Sequence, residues 1–245
     1  MMRTSSVLRS VMVNTRRSCS TLNKRDPTRE FDFKPADKSD EGRLMDLTLD
    51  HFLKAEPHSN ALGLNRGNAK ELLGWIVAKA LHYPYCIAIT EKSSGELVGY
   101  RLMSIDNRDS TKNFEPFDLD VEKLDEGAQI LAYILDNMKS KIWNMRPEAN
   151  KILRREITFV KHQHQRKGIA QYLLHLNLDF EQLKANGVDG FQSEASSHAN
   201  QSLLAKNGYQ KLMEAQRQEY VRRDGRPVVF PDETKCVQLF YKSIR

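Results

Sequence analysis

The run Gln165-Arg166-Lys167-Gly168-Ile169-Ala170 is the part of this chain whose residue types and spacing most directly imply chemistry. A β-rich stretch over residues 153–160 precedes it. A long amphipathic helix is expected after it, with Ile169, Leu173, Leu176, Phe180 and Leu183 on one stripe before Asn186-Gly187. The first turn of a helix leaves backbone N–H groups without partners and carries the positive end of the dipole, so an anion placed there gains several donors at once. Arg166 and Lys167 add mobile positive charge. Gly168 removes a Cβ where a ligand must approach the backbone, and Ala170 keeps the inward face of the first turn small. The chemistry expected of this turn is the holding of phosphate.

Other reactive side chains are less organised. In the strand before the turn, alternation places Glu156, Thr158 and Val160 on one face and Ile157 and Phe159 on the other, with Arg154 and Arg155 close enough to neutralise Glu156. Ser196 and Ser197 precede a short helix expected over residues 200–206 and read first as its N-terminal punctuation. His162 and His164, with His175 further on, lack the cysteines or paired acids that would complete a coordination set, so no metal is assigned. Cys19, Cys86 and Cys236 are odd in number and carry no CxxC spacing, which suggests neither a disulfide framework nor a zinc site.

The elements that must position these groups follow from periodicity. Residues 29–34 alternate as a short strand closed by Pro35. A helix from residue 40 carries Met45, Leu49, Phe52 and Leu53 on one face, and Glu56-Pro57 should end it, because a residue before proline disfavours helix. A second helix places Ala69, Leu72, Leu73, Ile76, Val77, Ala80 and Leu81 at i, i+3, i+4, i+7 spacing. Residues 85–90 and 97–103 read as a hairpin around Lys92-Ser93-Ser94-Gly95. A polar stretch over 105–120 leads to a helix with Leu131, Ile134, Met138 and Ile142, and the phosphate-loop strand follows. Strands are then expected over 188–194, 209–221 and 236–241, the last two joined by a loop containing Pro227 and Pro231.

Composition narrows the partners. Six of the 38 Lys and Arg residues fall in the first 25 positions, where no acid occurs, and the other 32 are matched by 32 Asp and Glu. The basic balance belongs to this leader, whose Arg and Ser content and weak amphipathic spacing read as a mitochondrial transit peptide or as a disordered basic tail. With the leader set aside, the chain is formally neutral and offers no basic stripe for nucleic acid. No apolar run approaches the ~20 residues that cross a bilayer. An intracellular protein is expected, mitochondrial or cytoplasmic.

The succession strand, Gln165-x-x-Gly168-x-Ala170, helix, strand, short helix and Gly208-Tyr209 resembles the GNAT acetyltransferase superfamily, whose acetyl-CoA signature is Gln/Arg-x-x-Gly-x-Gly/Ala at this junction. The specific match covers about residues 151 to 210. Phe52-Leu53-Lys54-Ala55-Glu56-Pro57, the long segment before the signature strand, and Ser196-Ser197-His198 are similar to the arylalkylamine N-acetyltransferase-like enzymes of invertebrates. The resemblance implies an α/β fold with a mixed central sheet of splayed parallel strands flanked by helices, occupying residues 28–243. It implies acetyl-CoA as co-substrate, its pyrophosphate on residues Gln165, Arg166, Lys167, Gly168, Ile169 and Ala170 and its pantetheine arm along Phe159 and Val160. The Val160 N–H is then placed to polarise the thioester carbonyl.

By the same resemblance Glu56 matches the general base of the arylalkylamine branch, and Glu156 is its rival, on a strand where other members place an acid. Ser196 matches a serine near the thiolate or amine. Asn200 stands where a second serine is expected and can bind the pantetheine arm or cap the helix, and Leu204 stands where many members present a tyrosine to the leaving thiolate. The implied reaction is acetyl transfer to a small primary amine, with Phe52, Tyr85, Phe230 and Phe240 as aromatic candidates for its pocket. A protein acetyltransferase and an acyl-CoA-binding module without turnover are the alternatives. The oligomeric state is not indicated.

Overall fold

The computed structural model describes residues 26–215, 217–230 and 236–244, so the basic leader, Cys19 and Pro231 lie outside the described residues. Seven strands form one sheet: β1 (Phe31–Pro35), β2 (Ile87–Glu91), β3 (Leu97–Asn107), β4 (Lys151–Val160), β5 (Gly190–Ala195), β6 (Gln210–Glu214) and β7 (Gln238–Ser243). Their spatial order is β1-β2-β3-β4-β5-β7-β6, and every neighbouring pair is antiparallel except β4 and β5. The helices are α1 (Glu41–Leu47), a π turn (Thr48–Phe52), α2 (Leu53–Ala55), α3 (Pro57–Ala61), α4 (Lys70–Leu81), α5 (Glu126–Met145), α6 (Ile169–Leu173), α7 (Phe180–Ala185) and α8 (His198–Lys206).

Apolar clusters cover both faces of the sheet, as its mixed α/β class requires. On one face α1, α4 and α5 bury Leu44, Val77 and Met138 against Tyr100, Leu102, Ile152, Ile157 and Phe159. On the other, Leu183 of α7 and Leu204 of α8 pack with Met103, Leu153 and Phe191, while α6 packs Ile169 and Leu173 on Ile87, Val98 and Val160. The apolar spacing of α4 and α5 predicts their buried stripes correctly.

Four expectations change. The long helix after the phosphate turn is two short ones, because Asn177 adopts a left-handed φ of 56° and the Asp179 carboxylate then caps a fresh start at the N–H groups of Glu181 and Gln182. The strand expected over 209–221 ends at Glu214, and Val221 makes only an isolated bridge to Pro227. The hairpin's second strand is longer than expected and reaches Asn107. The pairing of β3 with β4 slips between Leu102 and Met103, which leaves Glu156 as an extra, bulged residue. Alternation is lost there, so Glu156 shares the face of Arg154 and Ile157 rather than that of Thr158 and Val160.

Close packing fixes β5 beside β7. A Cβ at Gly190 would lie 2.5 Å from the Tyr241 ring and 2.6 Å from the Lys242 carbonyl oxygen. Gly190→Ala is therefore expected to destabilise the fold by about 1–3 kcal/mol. A denaturant-unfolding midpoint equal to that of the parent would contradict this.

Candidate active site

The parallel pairing of β4 with β5 covers only Ile152 to Arg155 against Gly190 to Ser193, after which the strands diverge. Antiparallel pairing alternates the direction of backbone groups, and the Lys161 N–H donates to the Val98 carbonyl at 2.8 Å. Phe159, two residues earlier and opposite Tyr100, therefore turns its N–H and C=O toward β3. Thr158 and Val160 turn theirs into the gap. The sequence pattern places this role on Phe159 and Val160, and the ladder moves half of it to Thr158. The Val160 carbonyl accepts a hydrogen bond from Gln165 Nε2 at 3.0 Å, which clasps the loop to the strand end and leaves the Val160 N–H free.

A cavity of 580 Å³ occupies this gap. Gln165, Arg166, Gly168, Ile169 and Ala170 all line it, with Phe159 and Val160. Lys167 does not. Its ammonium pairs with Glu30 Oε2 at 2.6 Å and lies over the Phe31 ring, so it steadies the loop against β1 instead. Gly168 takes a left-handed φ of 85°, a conformation that glycine adopts without strain. Because α6 has only five residues, its dipole is small, and the anion-binding capacity rests on the backbone itself. Among the described residues the N–H groups of 166–170 meet no acceptor.

Glu56 lines the same cavity. The proline after it forces an extended backbone, ψ 117°, and this converts the end of one helix into the N-cap of the next. Its Oε2 accepts from the Ser59 N–H at 2.6 Å and the Ser59 hydroxyl at 2.7 Å, while Oε1 accepts from the His58 N–H at 3.2 Å and faces His58 Nδ1 at 3.3 Å. Burial alone would push the Glu56 carboxyl up, but hydrogen bonding and charge from His58, then the hydroxyls of Ser196 and Ser59, outweigh it and bring the group down to about 2. Glu56 and Ser196 are thus brought together, as their candidacy requires. The expected alternative, an exposed carboxylate paired with Lys54, is not what is found, since Glu56 is 8% exposed.

Glu156 is differently committed. Ser104 Oγ donates to it, and Arg154 Nε lies 3.6 Å away while also reaching Glu194 at 3.2 Å and Asp106 at 3.4 Å. Arg155 takes no part in that neutralisation. On α8, the Ser197 hydroxyl caps the helix by accepting from the Asn200 backbone N–H, while the Asn200 side-chain amide lies at the cavity wall without a hydrogen-bond partner among the described residues. Leu204 is wholly buried. Phe52 lines the cavity and meets Phe159 edge-on, Phe230 packs on His58 and Tyr220, and Tyr85 and Phe240 belong to the cluster on the far face. His162, His164 and His175 do not converge: His175 stacks on Tyr209, and His164 lies 3.7 Å from Glu91. Sequence reasoning missed His58, Ser59 and Thr158. The Glu-Pro-His-Ser order carried a signal for the first two, since a cap acceptor draws on the N–H groups two and three residues ahead.

No protein-family model matches the chain, and no curated protein sequence does. Solved structures match well. Arylalkylamine N-acetyltransferase 2 from Aedes aegypti aligns over 88% of this chain and 99% of its own at 17% identity, with a TM-score of 0.71. A mutant agmatine N-acetyltransferase in its apo form aligns over 87% and 99% at 14% identity, with a TM-score of 0.68. The C-terminal condensation domain of Ebony, in complex with beta-alanyl-dopamine, aligns over 87% and 99% at 16% identity, with a TM-score of 0.64. The chain has the GNAT fold, and its architecture is similar to that of the arylalkylamine N-acetyltransferases. No helix among the described residues is long and apolar enough to cross a membrane.

The depressed Glu56 pKa has a direct consequence for stability. The unfolded chain takes up a proton near the ordinary value of 4.5, which the native carboxylate resists until about 2. Glu56 therefore stabilises the fold above pH 4.5, and that contribution is lost as pH falls through this window. The excess stability of the wild type over Glu56→Gln should shrink between pH 6 and pH 3 in denaturant titrations; a constant difference would contradict the assignment.

Proposed function

We propose that this chain is an acetyl-CoA-dependent N-acetyltransferase that moves an acetyl group to a primary amine, of small arylalkylamine type, by direct transfer in a ternary complex. The observation that carries this reading is a single cavity lined both by a buried, ionised Glu56 and by the unpaired backbone of Thr158 and Val160. Structural neighbours that are arylalkylamine and agmatine N-acetyltransferases support the same acceptor chemistry.

In this reading the pyrophosphate sits on the N–H groups of residues 166–170 with Arg166 beside it, and the pantetheine arm pairs with Thr158 and Val160 as an added strand would. Asn200 supplies a further polar contact to that arm. One of the two N–H groups polarises the thioester carbonyl, and the negative charge that develops on its oxygen is stabilised there. Glu56 attracts the amine into the cavity and, through a bound water, relays to solvent the protons the nitrogen must lose as the free amine attacks. Ser196, bonded to Glu56, orients that water. Glu156 is held in its ion pairs and shapes the wall instead of accepting the proton.

Amine-dependent release of free CoA from acetyl-CoA is the measurement, with arylalkylamines, agmatine, polyamines and lysine peptides as acceptors. Turnover with at least one small amine is expected, and no release with any acceptor would overturn the reading. Release with peptides alone would favour the protein-acetyltransferase alternative.

Glu56→Gln should lower kcat/KM by about 10² or more. Because Glu56 is ionised at every pH above its own low value, the rise of kcat/KM with pH should follow the amine's deprotonation. An acceptor of lower pKa should shift that limb to lower pH by the same interval. A limb that stays fixed for all acceptors would assign it to the enzyme and contradict this role.

A further inference from the structure

The face of β3 and β4 that carries Met103 and Leu153 holds two buried arginines with no carboxylate within ion-pair distance among the described residues. Arg101 is 0% exposed and Arg155 is 2% exposed. Arg101 donates to the Leu173 carbonyl at 2.6 Å and to the Tyr85 carbonyl at 2.9 Å, and its Nε has no partner. Arg155 donates from Nη2 to Thr158 Oγ1 at 2.9 Å, and its Nε and Nη1 have none. Burial, and for Arg101 the neighbouring Arg155 charge, pull both guanidinium groups below their ordinary values. The nearby acids Asp106, Glu156 and Glu194 lie on the other face, committed to Arg154. The other titratable groups near the pair are Cys86, Tyr209, His175 and Lys242, none of which is an anion at neutral pH.

Burying unpaired cations costs several kcal/mol, so nothing about stability accounts for them. They become favourable when negative charge arrives nearby. Arg155 and Thr158 both line the cavity, and Thr158 uses an acceptor lone pair on Arg155, which leaves its own O–H able to donate into the gap. Of the other hydroxyls on the cavity wall, Ser196 is engaged by the Glu56 carboxylate, Ser197 caps α8 by accepting the Asn200 N–H, and Ser193 lies on β5 opposite Arg155.

We propose that Thr158 is the catalytic residue that meets the leaving thiolate, and that Arg155, backed by Arg101, is the positioning residue that aims and polarises it. The inference rests on the acetyl-CoA reading above. As the tetrahedral intermediate collapses, the C–S bond breaks and its electron pair stays on sulfur. The nitrogen gives up two protons through the water at Glu56 to solvent, one as the ammonium becomes the free amine and one from the tetrahedral adduct. Thr158 keeps its proton while donating a hydrogen bond to the sulfur, and the thiolate departs as an anion that solvent protonates.

The test is the thiol pKa of enzyme-bound CoA, read from thiolate absorbance against a desulfo-CoA complex, with CoA binding checked by calorimetry. In the wild type the bound thiol should titrate at least one unit below free CoA in the same buffer, a tenfold gain in thiolate. Arg155→Met should return it to within a few tenths of free CoA, Arg155→Lys should retain most of the depression, and Thr158→Val should lose part of it. In turnover, Arg155→Met and Thr158→Val should lower kcat tenfold or more with little change in KM for acetyl-CoA. If CoA binds but its thiol titrates as free CoA, or if Thr158→Val and Arg155→Met both match the wild type, the proposal fails while the acetyl-CoA reading stands. If the wild type binds no CoA, both fail. Should Arg155→Met not fold, Arg155→Lys and Thr158→Val decide the matter in the same way.

Discussion

The constraint on which the rest of this structure depends is the divergence of β4 from β5 after Arg155 and Ser193. A strand in the middle of a sheet normally satisfies its backbone on both sides, and β4 stops doing so for its last five residues. The bulge at Glu156 falls at the step where the strands part, and a bulge bends its strand and increases the local twist. What results is a slot whose walls are polar backbone, open to any extended ligand carrying amides. Gln165 closes one end by bonding the Val160 carbonyl, so the loop and the slot form one continuous surface.

The bulge also divides the charges. Arg154 turns to the face of α4 and α5, where Asp106, Glu156, Glu194, Lys79 and Lys139 form a buried, mutually neutralising network. Arg155 turns to the other face, where its Nε and Nη1 meet no hydrogen-bond partner among the described residues. Neighbours in sequence thus live in opposite electrostatic surroundings, one a structural ion-pair hub and the other a source of uncompensated positive field beneath the slot. Glu56 arrives from a third direction with its negative charge fixed by four hydrogen-bond contacts from His58 and Ser59. An amine and a thioester would meet between these fields, the ammonium drawn toward one and the developing thiolate toward the other.

Much of this was legible in the chain. The 3.6-residue spacing of Leu72, Leu73, Ile76, Val77 and Ala80 marked α4, and Gln165-x-x-Gly168-x-Ala170 between strand and helix marked the loop, because these patterns are local. The proline at position 57 announced the break that makes Glu56 a cap. Other features were not legible because they arise between strands. A bulge depends on the partner's register, so Glu156 could be placed on a face only by an alternation that the fold abandons. Lys167 looked like a phosphate ligand until Glu30, more than a hundred residues away in sequence, came beside it. The division of Phe159 from Thr158 follows from which residues of β4 bond to β3.

The central claim is that the unpaired backbone of β4 and the 166–170 loop receive acetyl-CoA. Amide hydrogen exchange measured by residue, with and without acetyl-CoA, addresses it most directly. Strong slowing at Thr158, Val160 and residues 166–170, with Phe159 already slow in the free protein, is the predicted result. Unchanged exchange across these positions at saturating acetyl-CoA, or protection confined to another part of the chain, would contradict it.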